Sequence, residues 1–196
     1  MSVTGVALIL FLTFHMSMNI AALFSGEAYN MICEFLGANW YALVATLGLA
    51  ALAVIHIIYA FWLTMQNRKA RGNERYAVTT RPAGVEWSSQ NMLVLGIIII
   101  LGLLLHLFNF AELTGITVAH DPADGYAYIV DTFACPVYVV LYIVWIVALW
   151  FHLTHGFWSA MQTFGWSGKT WFCRWKVIGI AYSTLLCLGF LVVVLW

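Results

Sequence analysis

Charge is what this sequence has least of. Only 8% of its 196 residues are Asp, Glu, Lys or Arg, against roughly 25% in a soluble globular domain. Most of its side chains therefore never need water, and a water-soluble domain is excluded. With eight basic residues and a formal net charge of zero, no nucleic-acid partner is expected. Cysteine is scarce as well. Cys33, Cys135, Cys173 and Cys187 form no CxxC, which argues against an iron–sulfur cluster within this chain. No CxxCH occurs, which argues against covalently attached haem. Cys33 and Cys135 would lie near the same membrane face, and two free thiols are preferred there to a disulfide.

What the sequence does have is apolar length. Hydrophobic residues make up 64% and aromatics 16%. Five stretches without a charge cover residues 1–26, 35–67, 87–111, 132–168 and 177–196. Each meets the roughly 20 residues that a helix needs to cross a bilayer. Helices are expected at about 3–24, 40–66, 91–112, 133–163 and 174–196. Membrane strands would be about ten residues long and would alternate in polarity, and these stretches do neither. The fold class is thus all-α: a single domain over 1–196, an integral membrane bundle of five transmembrane helices. The first stretch lacks a basic n-region and a small-residue cleavage site, so it reads as a helix and not as a cleaved signal peptide.

The few charges are segregated. Arg68, Lys69, Arg71, Arg75 and Arg81 follow the second stretch, and Lys169, Arg174 and Lys176 precede the fifth. The positive-inside rule puts both groups in the cytoplasm. The N-terminus is then cytoplasmic, in a multi-pass protein of the bacterial inner membrane. Glu27, Glu34, Glu112, Asp121, Asp124 and Asp131 fall outside, while Glu74 and Glu86 fall inside.

Histidine carries the chemistry. His15, His56, His106 and His152 fall one on each of the first four helices. His155 shares the fourth, and His120 lies in an outer loop. Ionisable groups within a membrane are costly and are functional candidates by default. His56 and His152 each sit about ten residues from a cytoplasmic helix end, hence about 15 Å deep. His15 and His106 sit roughly 6–9 residues from an outer end, hence roughly 9–14 Å deep. The four form two pairs, at levels roughly 10–15 Å apart. Haem iron takes axial imidazoles from opposite sides, and two pairs supply two such sites. A zinc site would gather three or four ligands at one level, and here each level has two.

Small neighbours at helical spacing would admit a flat macrocycle. His152 has Ala148 and Gly156 four residues either side; His56 has Ala53 and Ala60 but the bulkier Leu52. The outer pair is less clean, with Gly102 but Phe110 about His106 and Phe11 but Asn19 about His15. His155 is flanked by Phe151 and Ser159, so His152 is preferred to it. An internal echo supports the choice. His56 and His152 each begin an H-x-x-x-small-Phe-Trp string, on helices of the same direction.

The chain resembles, along almost its whole length, the five-helix, two-haem cytochrome b membrane anchors of succinate dehydrogenases and menaquinol:fumarate reductases. The motifs that carry the resemblance are FHMSMN (14–19), SGEAYN (25–30), IHIIYAFW (55–62), LHLFNF (105–110) and WFHLTHGFWS (150–159). It implies two haem b groups with axial ligands His15, His56, His106 and His152, the first and third on one haem and the second and fourth on the other. It also implies a flavoprotein subunit and an iron–sulfur subunit on the cytoplasmic side. The chain itself would exchange electrons with menaquinone or another membrane quinone, while dicarboxylate chemistry stays in the flavoprotein. Glu34, Asn109 and Glu112 are the candidate quinone-binding residues; an ordinary solvated helix end is the alternative for each. Trp87, Ser88, Ser89 and Gln90 form a polar start to the third helix, either bonding a haem propionate or capping the helix. The competing readings are the dihaem anchor of a hydrogenase, formate dehydrogenase or nitrate reductase, and a haem-free transporter. A transporter usually shows broken helices or inverted repeats, and this sequence has neither.

Overall fold

The computed structural model describes residues 1–37, 40–72, 86–110 and 124–196, with the side chain of Arg71 excepted. Among these residues every regular element is helical and no strand occurs. In chain order they are α1 (Ser2–Ile20), a 3-10 turn (Ala21–Leu23), α2 (Gly26–Gly37), α3 (Trp40–Arg71), α4 (Trp87–Gln90), α5 (Met92–Asn109), α6 (Gly125–Phe133), α7 (Pro136–Thr163) and α8 (Lys169–Leu195). Five of them, α1 with its 3-10 turn, α3, α5, α7 and α8, are long and apolar enough to cross a membrane. That is the signature of a multi-pass membrane protein, because in lipid a helix satisfies its own backbone.

The bundle is dressed for lipid. Large apolar side chains point outward, among them Val3 (70% exposed), Leu10 (66%) and Leu185 (70%). Polar side chains turn inward. Ser183 is fully buried, and the Thr13 hydroxyl hydrogen-bonds Tyr182 across the α1–α8 contact. Helix association in lipid depends on close packing and on such bonds, since lipid tails are as apolar as leucine. The core sits where α1, α7 and α8 meet, around Tyr142, Ile146, Leu153, Leu186, Cys187 and Val194. By contrast none of the described side chains of α3 is buried, and the helix lies against the side of this core, mainly along α1.

Local sequence sets the helix ends. Pro136 starts α7 in its first turn, where a missing N–H costs nothing. Gly165, with φ +77°, ends it. Its N–H donates to the Gln162 carbonyl and that of Trp166 to the Met161 carbonyl, both at 3.0 Å, the paired bonds of a Schellman stop. This tight reversal lets α8 begin at Lys169, earlier than the expected 174. Lys169, Arg174 and Lys176 therefore stand on the first turns of α8 and not in a loop. Likewise α3 runs on to Arg71, past the expected 66. The third helix is broken at Asn91, which separates the single turn α4 from α5.

Two helices were not expected. α2 and α6 are too short to span a bilayer, and they interlock with each other. Asn30 donates to Asp124 Oδ1 (2.9 Å), accepts from the Tyr126 N–H (2.8 Å), and Asp124 caps α6 at Ala127 (3.2 Å). Tyr29 of α2 is buried and donates to Asn19 of α1 (3.3 Å). Burial first, and then the neighbouring Cys33, push its phenol pKa up, so it stays a neutral donor. All four cysteines are free.

The bundle has a basic end, formed by the C-termini of α3 and α7 and the N-terminus of α8. Arg68, Lys69, Lys169, Arg174 and Lys176 lie there. At the far end stand Glu27, Glu34, Asp124 and Asp131. Arg75, Arg81, Glu74, Glu112, His120 and Asp121 lie outside the described residues.

Candidate functional site

Four helices each carry one histidine into the bundle, and the structure brings them together two by two. His15 of α1 faces His106 of α5 with ring centroids 5.8 Å apart and planes at 85°. His56 of α3 faces His152 of α7 at 6.5 Å and 64°. The pairs lie at separate levels, and two helices measure the gap independently. On α7, Tyr142 touches His106, and His152 follows ten residues later, or about 15 Å at 1.5 Å per residue. On α1, Thr4 touches His56 and His15 comes eleven residues later, or about 16 Å.

The far-end pair is held by aromatic packing. Phe11 stacks on His15 at 5.4 Å, and Phe190 of α8 lies at 5.9 Å. Around His106 stand Phe110 at 5.0 Å, Trp145 at 5.6 Å and Tyr142 at 6.2 Å. Gly102, one turn before His106, makes room for the Trp145 indole; a Cβ there would collide with the ring. The Trp145 N–H donates to the Ile99 carbonyl at 3.1 Å, which fixes the ring in that slot. The Tyr142 hydroxyl lies 3.4 Å from His106 Nδ1 and accepts from Asn109 Nδ2 at 3.4 Å. Asn109 is thus joined to His106 through Tyr142. Glu34 is exposed on α2, and Glu112 lies outside the described residues.

The basic-end pair is held differently. His56 Nδ1 hydrogen-bonds the Thr4 hydroxyl at 3.0 Å. Its Cε1 would lie 3.6 Å from a Cβ at Gly5, so the Nδ1–Cε1 edge of the ring rests on α1. His152 Nδ1 is buried with no hydrogen-bond partner among the described residues. Gly156, one turn beyond His152, would have open space around an added Cβ. A small residue therefore borders both sites, filled by an indole at one and open at the other.

His155 points elsewhere. Its ring packs on Trp158 at 4.8 Å, and its Nδ1 lies 3.6 Å from Glu86 Oε2, beyond hydrogen-bond length but within ion-pair reach. Glu86 Oε1 takes a 2.7 Å ion pair from Lys176, whose ammonium lies 4.8 Å over both Trp158 and Phe172. Partial burial pushes the Glu86 carboxyl up, but the hydrogen bond and charge of Lys176, helped by His155 and Trp158, outweigh it. The carboxyl is held below the usual glutamate value. Beside this cluster, Trp87 packs on Phe151 at 5.1 Å and Ser88 is buried. Ser89 is half-buried and Gln90 exposed. Sequence reasoning missed Thr4, Tyr142 and the Glu86–Lys176 pair. The only available signal was a polar group within an apolar stretch or at its edge, and that does not reveal a partner.

The separation within each pair can be set against that of two imidazoles sharing one metal ion. A metal–imidazole bond of about 2.0 Å, plus about 1.1 Å from nitrogen to ring centre, puts two trans imidazole centroids about 6.2 Å apart. The two measured separations bracket that value. Among the described residues, no group of three or more His, Cys, Asp or Glu is placed around one metal ion. No protein-family model, curated protein or solved structure matches the chain.

Proposed function

We propose that this chain is a dihaem cytochrome b, the membrane-anchor subunit of a succinate dehydrogenase or fumarate reductase. In this reading it moves electrons between an iron–sulfur subunit and membrane quinone. The observation that carries the proposal is the pairing of four histidines from four helices, two by two, with ring centroids 5.8 and 6.5 Å apart. His15 and His106 would hold one haem b, and His56 and His152 the other. Bound haem would supply one-electron chemistry at iron, with potentials set by axial ligands, burial and hydrogen bonds.

The chain's own residues do the rest. The helices hold the imidazoles facing each other, and Phe11, Phe110, Trp145 and Phe190 keep water from the far-end pair. Charge segregation supports a cytoplasmic basic end and a cytoplasmic N-terminus in a bacterial inner membrane. The flavoprotein and iron–sulfur subunits then dock at that end, near His56 and His152. Trp87, Ser88, Ser89 and Gln90 flank the same level and are the candidates for a propionate. Quinone exchanges electrons at the far end, where Asn109 is linked to His106 through Tyr142. Glu34 and Glu112 are the acidic candidates for its protons.

Pyridine haemochrome assay and low-temperature spectra of protein purified by mild extraction test the proposal. The expected result is two low-spin haems per chain and co-purification of two soluble subunits that crosslink to Lys69, Lys169 or Lys176. A fully loaded preparation with one haem or none overturns the dihaem reading. Two haems with no soluble partner overturn the anchor role alone.

A further inference from the structure

The two pairs differ in what meets a ring Nδ1, and one residue outside the four helices' histidine motifs stands out. Thr4 lies in the first turns of α1, and its hydroxyl makes two hydrogen bonds. One goes to the Met1 carbonyl at 2.8 Å, the other to His56 Nδ1 at 3.0 Å. A carbonyl has no proton to give, so the hydroxyl is the donor in the first bond. A hydroxyl has one proton and two lone pairs. Both bonds form together only when Thr4 accepts in the second, which puts the hydrogen on His56 Nδ1. Nε2 of the neutral ring is then the bare nitrogen, on the edge turned away from α1.

We infer that Thr4 is a positioning residue for the His56–His152 site: its hydroxyl fixes the tautomer and tilt of His56, so that Nε2 is presented as a metal ligand. This rests on the dihaem reading. The hydroxyl adds a directional hold to the contact that the ring edge makes with α1 at Gly5. Among the described residues the far-end pair has no equivalent bond. His106 Nδ1 meets Tyr142 at 3.4 Å, and that hydroxyl is shared with Asn109, so the bonds do not fix which atom donates. Ligating histidines generally donate their other N–H to an acceptor, and loss of that acceptor typically weakens metal binding roughly 10–100-fold.

The test compares Thr4→Val, which keeps the shape and removes the hydroxyl, with Thr4→Ser, which keeps the hydroxyl. Both are purified as the native complex, and haem loss to excess apomyoglobin is followed with the low-spin EPR signals of the two sites. Thr4→Val is expected to release the His56–His152 haem at least about tenfold faster, to shift that site's EPR signal, and to leave the His15–His106 signal unchanged. Thr4→Ser should restore both. Wild-type exchange and an unshifted signal in Thr4→Val overturn the inference and leave the dihaem reading standing. Wild-type protein without haem overturns that reading instead. Should Thr4→Val fail to assemble, 15N-histidine NMR of haem-free wild-type protein decides, with the His56 signal identified by its loss in His56→Ala. Hydrogen on Nδ1 supports the inference, and hydrogen on Nε2 overturns it.

Discussion

The two histidine pairs sit in one bundle yet are held by opposite means. The far-end pair is wedged: five aromatic rings surround it, and the indole of Trp145 fills the slot that Gly102 leaves. The basic-end pair is tethered: one hydroxyl fixes His56, and the space beside Gly156 is open. A wedged ring is held by shape, so its position responds to volume changes in its neighbours. A tethered ring is held by one directional bond, so it responds to loss of a polar atom and tolerates added volume. The loose site is also the one beside the Glu86–Lys176 pair, where docking of soluble subunits is proposed.

The largest effect expected from this contrast is loss of a whole cofactor. His152→Ala should leave one haem per chain, the one at His15 and His106, whereas His155→Ala should leave two. The reason is that His152 faces His56, while His155 faces Trp158 and Glu86. Haem content and the two EPR signals read the outcome. Loss of haem in His155→Ala alone would reverse the assignment.

A middle-sized effect separates wedge from open space. Gly102→Ala puts a methyl group into the Trp145 ring, which its bond to Ile99 holds in place. Overpacking of this kind costs about 1–3 kcal/mol. Gly156→Ala meets no neighbour and replaces a mid-helix glycine, so it should be neutral or stabilise by up to about 1 kcal/mol. Unfolding of the haem-free protein in detergent measures both. Equal losses at the two positions would mean that the sites are packed alike.

The smallest effect belongs to the charged cluster at the basic end. Glu86→Gln removes the ion pair with Lys176 and should cost no more than about 1 kcal/mol, since the carboxylate is over a third exposed and screened. Its folded pKa is depressed. The pair's contribution is therefore complete above the ordinary glutamate value and disappears as pH falls through the lower folded one. Stability against pH should thus differ between wild type and Glu86→Gln at neutral pH and converge in acid. A difference that persists in acid would assign the effect to packing.

Much of the fold was legible in one dimension because hydropathy is local. Five apolar stretches give the five long helices, and the described basic residues collect at one end. The errors lie at helix ends and in short elements. α8 starts at Lys169 because of the Gly165 reversal, which depends on bonds between Trp166 and Met161. α2 and α6 escaped notice because neither reaches spanning length and each is held by the other, through Asn30 and Asp124.

The histidines divide in the same way. Their depth follows from residue count and a fixed rise per residue, so the two levels could be read from the sequence alone. Which rings meet depends on helix rotation and on which helices are neighbours, and those are set by packing. Only the tertiary structure could place Thr4 against His56, fifty-two residues away. It alone fills the slot at Gly102 and leaves that at Gly156 open, because a glycine's environment is decided by the helix that packs against it and not by its own chain.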